Sequence, residues 1–336
     1  DMLRTNMGLQ DGETLVVATD IPRTGDWRTE SPKRLAGMLE RAMLARLVAD
    51  VAQEHFPHCP VLFLPFPSAG GHGAEPGPEA TAEMRKAGVV LALTTFSLSH
   101  TDARQAVTEA GGRLASMPGF EAHMLEPGGP MAADYVQIAA DCRAWADLLT
   151  PAIEAVVRTP DGTDLRFSLD GRPGQVDDGF YDGSGADIWG NLPAGETYAI
   201  PLEGTGEGRL VVRAGWYPGL EEEMVLRIEK GVVVELQGGG AVGDEFRQLF
   251  GFGSDDPVHR ARRNLAELGI GTNPNARRPD NVLEAEKIKG TVHIGIGDNI
   301  HMGGLVEADS HEDFVQPQAD LILDGKPVIT GGRWSF

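Results

Sequence analysis

The apolar spacing of this chain changes near residue 150, and that change restricts the fold more than any single motif. Up to that point, apolar runs alternate with segments of helical spacing. The runs are ETLVVATD, ending at Asp20, then VLFLPF, VVLALTTFSLSHT and AGGRLASMPG. In SPKRLAGMLERAMLARLVADVAQEHF, the residues Leu35, Leu39, Met43, Leu47 and Val51 recur at every fourth position, which predicts a helix with one apolar face. EATAEMRKAG reads as a short helix and AADYVQIAADCRAWADLLT as a longer one. Strands alternating with helices predict an α/β domain over residues 1–150, with a parallel sheet inside three layers.

After residue 150 the pattern is that of hairpins. EAVVRTPDGTDLRFSLDG, ETYAIPLEGTGEGRLVVRAG, EMVLRIEKGVVVELQGG and GTVHIGIGD read as strands joined by DG, EG and KG turns. One helix is expected among them, DDPVHRARRNLAELG. Asp255 or Asp256 would cap it, Pro257 suits its first turn, and Gly269 would close it. Residues 151–336 are therefore expected to form an α+β domain, mostly antiparallel. The Gly- and Asp-rich stretch GRPGQVDDGFYDGSGADIWGN reads as a long loop. Its Tyr181 and Trp189 either close over a substrate or anchor the loop, and anchoring is favoured. There is no internal repeat.

With 336 residues, 41% of them hydrophobic, the chain is long enough for two cores. Its formal net charge of −21 opposes partners such as nucleic acid or anionic membranes and suits a protein that gathers cations. Cys59 and Cys142 have neither metal-knuckle spacing nor the look of a disulfide framework, so a reducing, cytoplasmic setting is expected. No apolar run is long enough to span a bilayer, and the start shows no signal-peptide pattern. HExxH, CxxC, GxSxG and phosphate-loop motifs are all missing. GIGTNPNA lacks the context of a dinucleotide fingerprint. His100, in SLSHT, reads as a loop hydrogen bonder rather than the base of a nucleophile.

The candidates for chemistry all lie in the second half. In SHEDF, strand periodicity points His311 and Asp313 to one face and Glu312 to the other, and an imidazole beside a carboxylate suits a divalent metal. A solvated edge strand accounts for the same residues. In TVHIGIG, Val292, Ile294 and Ile296 share one face, and His293, Gly295 and Gly297 share the other. The glycines leave space beside the histidine, either for a metal and substrate or for a close-packed neighbour. Glu267 falls near the end of the expected helix, where a carboxylate is electrostatically misplaced and calls for a partner cation or simply lies at the surface. Glu196, in NLPAGE, precedes a strand. Glu284 and Glu286, in NVLEAEKIKG, read equally as ligands or as solvated groups.

Taken in order, NLPAGETYAIP, LAELGIGTNPNA, EAEKIKGTVHIGIGD and SHEDF resemble the aminopeptidase T/aminopeptidase S family of metallo-aminopeptidases. TTFSLSHTDAR and ASMPG resemble the same family's N-terminal domain, so the likeness covers most of the chain. The resemblance implies a two-metal site in the C-terminal domain, with Zn, Mn or Co held by Glu196, Glu267, His293, His311 and Asp313. Glu286 takes the remaining glutamate position as ligand or general base. The implied reaction removes an N-terminal residue from a small peptide or amino-acyl substrate through a metal-activated water, in a homodimer. A tyrosine expected shortly after the motif histidine is replaced here by Ile300 and His301, which leaves His301 as the donor to the oxyanion. The chain is also shorter than a full aminopeptidase of that type.

A related branch, 2,5-dihydroxypyridine 5,6-dioxygenase, is similar in length and in its His-x-Asp pair. Its implied site is a His-His-Asp set on one Fe(II), here His293 or Glu267 with His311 and Asp313. That branch is expected to carry histidine where this chain has Glu267, and no glutamate at position 196. Retention of both glutamates makes the two-metal hydrolase the leading expectation and the Fe(II) dioxygenase the alternative.

Overall fold

The structure is a computed structural model and describes residues 2–99, 101–183, 188–254 and 256–336. The chain divides into two compact units, residues 1–132 with 179–194 and residues 133–178 with 195–336. His100 and Asp255 lie outside the described residues.

The first unit is built on a five-stranded sheet in the order Val61–Pro67, Leu15–Ile21, Val89–Ala92, Arg113–Ser116 and Trp189–Asn191. Every pairing in it is parallel. Val16, Ala18, Val90, Ala92 and Leu114 pack on one face with Ala80, Met84, Ala103 and Val107 from helices Pro78–Met84 and Asp102–Glu109. Leu15, Val17, Val89 and Leu91, on the alternate positions, are equally buried. A sheet buried on both faces is what an α/β architecture requires.

Helix Pro32–His55 lies against the first two strands, capped by Ser31, whose hydroxyl accepts from the Arg34 N–H. Its inner face is not the predicted one. Met38, Ala45, Ala49 and Ala52 are buried, whereas Leu39, Met43, Leu47 and Val51 are exposed. Small side chains let the helix approach the sheet closely, and the larger row is turned outward.

In the two sheets of the second unit every strand pairing is antiparallel. An eight-stranded sheet runs Val232–Gly238, Met224–Glu229, Glu207–Val212, Asp164–Ser168, Glu154–Arg158, Asp320–Leu323, Lys326–Thr330 and Arg333–Trp334. A five-stranded sheet runs His311–Gln316, Val292–Gly297, Leu265–Gly271, Glu196–Ala199 and Gln175–Asp177. Leu165, Phe167, Leu210 and Leu226 of the first meet Leu268, Ile270, Ile294, Ile296 and Phe314 of the second in one core. Burial on one face of each sheet leaves the opposite face of the smaller one free to carry polar groups.

The unit boundaries do not follow the change of pattern near residue 150. Helix Tyr135–Leu149, capped by Asp134, buries Trp145 and Leu149 in the second core, and the Thr197 hydroxyl donates to the Cys142 carbonyl. Residues 179–194 return to the first unit, where Trp189–Asn191 extends the parallel sheet. Tyr181 anchors that return: it is buried, and its hydroxyl donates to the Asn191 carbonyl at 2.9 Å. Trp189 lies under the Arg104 guanidinium at 4.2 Å. Of the Gly- and Asp-rich stretch, residues 184–187 lie outside the described residues.

The expected helix through Glu267 is largely absent. Only Pro257–Ala261 is helical, capped by Asp256, and LAELGIG is instead a strand buried at every residue. Pairing with strands on both sides overrides the helical preference of Leu-Ala-Glu-Leu. Glu267 is thus not at a helix end at all.

Candidate metal centre

The smaller sheet sets the site by period and register. Glu196 pairs with Gly271, Gly269 with His293, Glu267 with Gly295, Gly295 with Asp313, and Gly297 with His311. All of these residues therefore point to the same, outer face. Glu312 points the other way and accepts a hydrogen bond from the Tyr217 hydroxyl at 2.8 Å.

The glycines make room for the donors. A Cβ on Gly269 would lie 1.8 Å from His293 Nε2, and one on Gly295 would lie 2.7 Å from both His311 Nε2 and Glu267 Cβ. The space beside His293 is therefore filled by neighbouring donor side chains rather than by a packed helix.

Five predicted ligand positions converge in two overlapping groups. Glu196, Glu267 and His293 form one, and Glu267, His311 and Asp313 the other, with donor atoms of each group within 4.8 Å of one another. His293 Nε2 lies 3.2 Å from Glu267 Oε1 and 3.3 Å from Glu196 Oε2. His311 Nε2 lies 3.3 Å from both Glu267 Oε2 and Asp313 Oδ1. His311 Nδ1 donates to the Asp298 carbonyl at 2.7 Å, which turns Nε2 toward the carboxylates.

The two residues predicted for catalysis lie off this cluster in different ways. Glu286 is buried, and its Oε1 is 2.8 Å from Lys287 Nζ. His301 sits on the short turn Ile300–Met302, is one-third exposed, and pairs through Nδ1 with Asp298 Oδ2 at 2.9 Å. Asp298 thereby links His301 to His311. Glu284 is not solvated either; it is buried and accepts from the backbone N–H groups of Arg277 and Arg278.

Sequence reasoning missed Lys287, Asp177 and Asp298. Lys287 is completely buried, and its Nζ is held by Glu196, Glu286 and Asp177. No local pattern marks it, because Asp177 and Glu196 come from distant parts of the chain.

The electrostatics describe a face short of positive charge. Burial would lower the His293 pKa, but the hydrogen bond to Glu267 and the charges of Glu196 and Asp313 raise it to about 9. His311 is likewise held well above the ordinary imidazole value, because Asp313 and Glu267 outweigh its burial. Burial pushes the Glu267 and Asp313 carboxyls up, yet the neighbouring imidazoles bring both below their usual range. Glu286 is raised well above the carboxylate range, chiefly by burial. Glu196 Oε2 and Asp313 Oδ1 are buried and receive no hydrogen bond among the described residues. Unsatisfied carboxylate oxygens beside imidazole nitrogens suit a divalent ion. The donor set thus fits a metal.

A face of carboxylates and imidazoles on an antiparallel sheet is an arrangement that can hold a metal ion. The sequence profile of 2,5-dihydroxypyridine 5,6-dioxygenase (NicX) matches residues 27–335, and the chain belongs to that family. Two solved structures share the fold. The 2,5-dihydroxypyridine dioxygenase of Pseudomonas putida KT2440 is 20% identical, with 98% of this chain and 93% of that one covered at a TM-score of 0.69. Wild-type AmpT from Thermus thermophilus is 18% identical, with 100% and 98% covered at a TM-score of 0.60. A search of curated proteins found no match. The aminopeptidase resemblance read from the motifs is therefore a likeness of fold, and the family is the dioxygenase one. No helix among the described residues is long and apolar enough to cross a membrane.

Proposed function

We propose that this chain is a mononuclear Fe(II)-dependent, ring-cleaving dioxygenase acting on a hydroxylated pyridine. One observation carries the reading: in a chain of this family, Glu267, His311 and Asp313 turn two carboxylates and an imidazole toward one point on a sheet face. Iron(II) held there by Glu267, His311 and Asp313 would supply the one-electron chemistry that reaction with dioxygen requires.

The protein's part is to fix those donors. Glu267 completes the set with His311 and Asp313, and His293 falls in the adjoining group. The Asp298 carbonyl sets the His311 tautomer and ring orientation. Gly295 keeps the face open where the His311 and Glu267 side chains meet. His301, oriented by Asp298 and linked through that residue to His311, is the group positioned to exchange a proton with a ring hydroxyl.

The test is anaerobic reconstitution with Fe(II), followed by oxygen-electrode assays with 2,5-dihydroxypyridine. Oxygen uptake equimolar with loss of ring absorbance is the expected result. Hydrolysis of amino-acyl anilides with Zn, Mn or Co, without oxygen uptake, would overturn it. That outcome belongs to the second reading, a two-ion hydrolase, which draws on the second donor group of Glu196, Glu267 and His293.

A further inference from the structure

We propose that Lys287 is a built-in cation standing in the place of a second metal ion, and that it holds this centre to a single ion. The inference rests on the reading of this sheet face as a metal centre, but not on the reaction assigned to it.

The two donor groups overlap at Glu267, as the halves of a two-ion site would. They differ in one respect. Among the described residues, no lysine or arginine pairs with Glu267 or Asp313, whose cationic contacts are the imidazoles of His311 and His293. In the other group, Glu196 is already engaged: its Oε1 lies 2.6 Å from Lys287 Nζ, while its Oε2 faces His293. Glu286 Oε1 at 2.8 Å and Asp177 Oδ2 at 3.5 Å complete the shell around the ammonium. Three carboxylates, from three separate segments, surround Nζ much as ligands surround a small cation.

The position of Nζ is set by the backbone. The Lys287 carbonyl accepts from the Asn273 N–H at 2.9 Å, and the Lys289 N–H donates to the Asn273 carbonyl at 3.1 Å. Gly271 lets this turn press on the sheet, since a Cβ there would lie 2.2 Å from the Ile288 carbonyl oxygen. Lysine is almost never fully buried unless it is paired, and its ammonium is a compact point charge. A divalent ion bound through Glu196 would have to displace that charge or sit against it. With Lys287 in place, one oxygen of Glu196 is committed to the ammonium, and an ion in the group of Glu196, Glu267 and His293 would sit beside a fixed positive charge, whereas the Glu267, His311 and Asp313 group has no such neighbour bound to its carboxylates among the described residues.

The test counts ions and does not depend on activity. Wild-type protein and Lys287→Ala are stripped with chelator, loaded with Mn(II) and desalted. They are then examined by elemental analysis and electron paramagnetic resonance. The wild type is expected to hold one Mn(II) per chain, with an uncoupled six-line spectrum. Lys287→Ala, which removes the charge and leaves room, is expected to hold two, with a spin-coupled spectrum. Two ions in the wild type, or one ion in a folded Lys287→Ala, would overturn the proposal. The wild-type count decides this even if the alanine variant does not fold. No tightly held ion in the wild type would remove the metal centre itself, a result distinct from a wrong count.

Discussion

Gly269 and Glu267 stand two residues apart on one strand and contribute to the centre in opposite ways, one by what it lacks and one by what it carries. A methyl group on Gly269 would lie 1.8 Å from His293 Nε2, and the ring would have to move. Gly269→Ala is expected to cost about 1–3 kcal/mol, the usual range for overpacking, and urea denaturation would measure it. Glu267 contacts both imidazoles and belongs to both donor groups. Glu267→Ala should therefore reduce retained Mn(II) at least ~10-fold with the fold kept, as read by elemental analysis and circular dichroism. Unchanged metal content would dismiss Glu267 as a ligand. The pairing of His311 with Asp313 was legible from period two alone. Lys287 was not legible, because its partners at 177 and 196 reach it only through tertiary contact.

At the scale of elements, the two largest departures from the sequence pattern share a cause. The helix Pro32–His55 was legible in extent, but its inner face was not. The row Leu39, Met43, Leu47 and Val51 is exposed, and alanines meet the sheet. Substitution of exposed Met43 by Glu should change stability by no more than about 0.5 kcal/mol. Ala45→Leu, at a fully buried position, should cost about 1–3 kcal/mol. Chemical denaturation of the two variants separates the cases, and the reverse order would mean the helix is turned the other way. Leu265–Gly271 was likewise misread, as the end of a helix. In both segments the local apolar spacing is compatible with more than one arrangement, and the neighbouring strands select one.

At the scale of the whole molecule, the charge on the site face enters the stability. His293 has its pKa raised from 6.5 to about 9 by Glu267, Glu196 and Asp313. A group raised on folding contributes stability that is fully present below its unfolded pKa and is lost as pH rises through the folded value. Metal-free protein should therefore lose thermal stability between pH 6.5 and about 9. Metal-loaded protein should lose less over that window, because an ion on Glu267 and Asp313 offsets the negative charge that holds the His293 proton. Thermal unfolding of both forms across that window is the measurement. A metal-free Tm that stays level or rises would contradict the charge balance described for this face.

Strand and helix alternation, hairpin turns, and the period-two placement of His293, His311 and Asp313 are local properties, and the sequence by itself determined them. It likewise determined the two architectures, parallel α/β and antiparallel α+β, because both follow from the spacing of apolar residues along short segments. Only the tertiary structure decided that residues 179–194 return to the first sheet and that Glu267 lies on a strand. It alone placed the Lys287 ammonium among Asp177, Glu196 and Glu286. Each of these depends on strand neighbours far apart in the chain, and side chains that meet across a sheet leave no periodic trace along it.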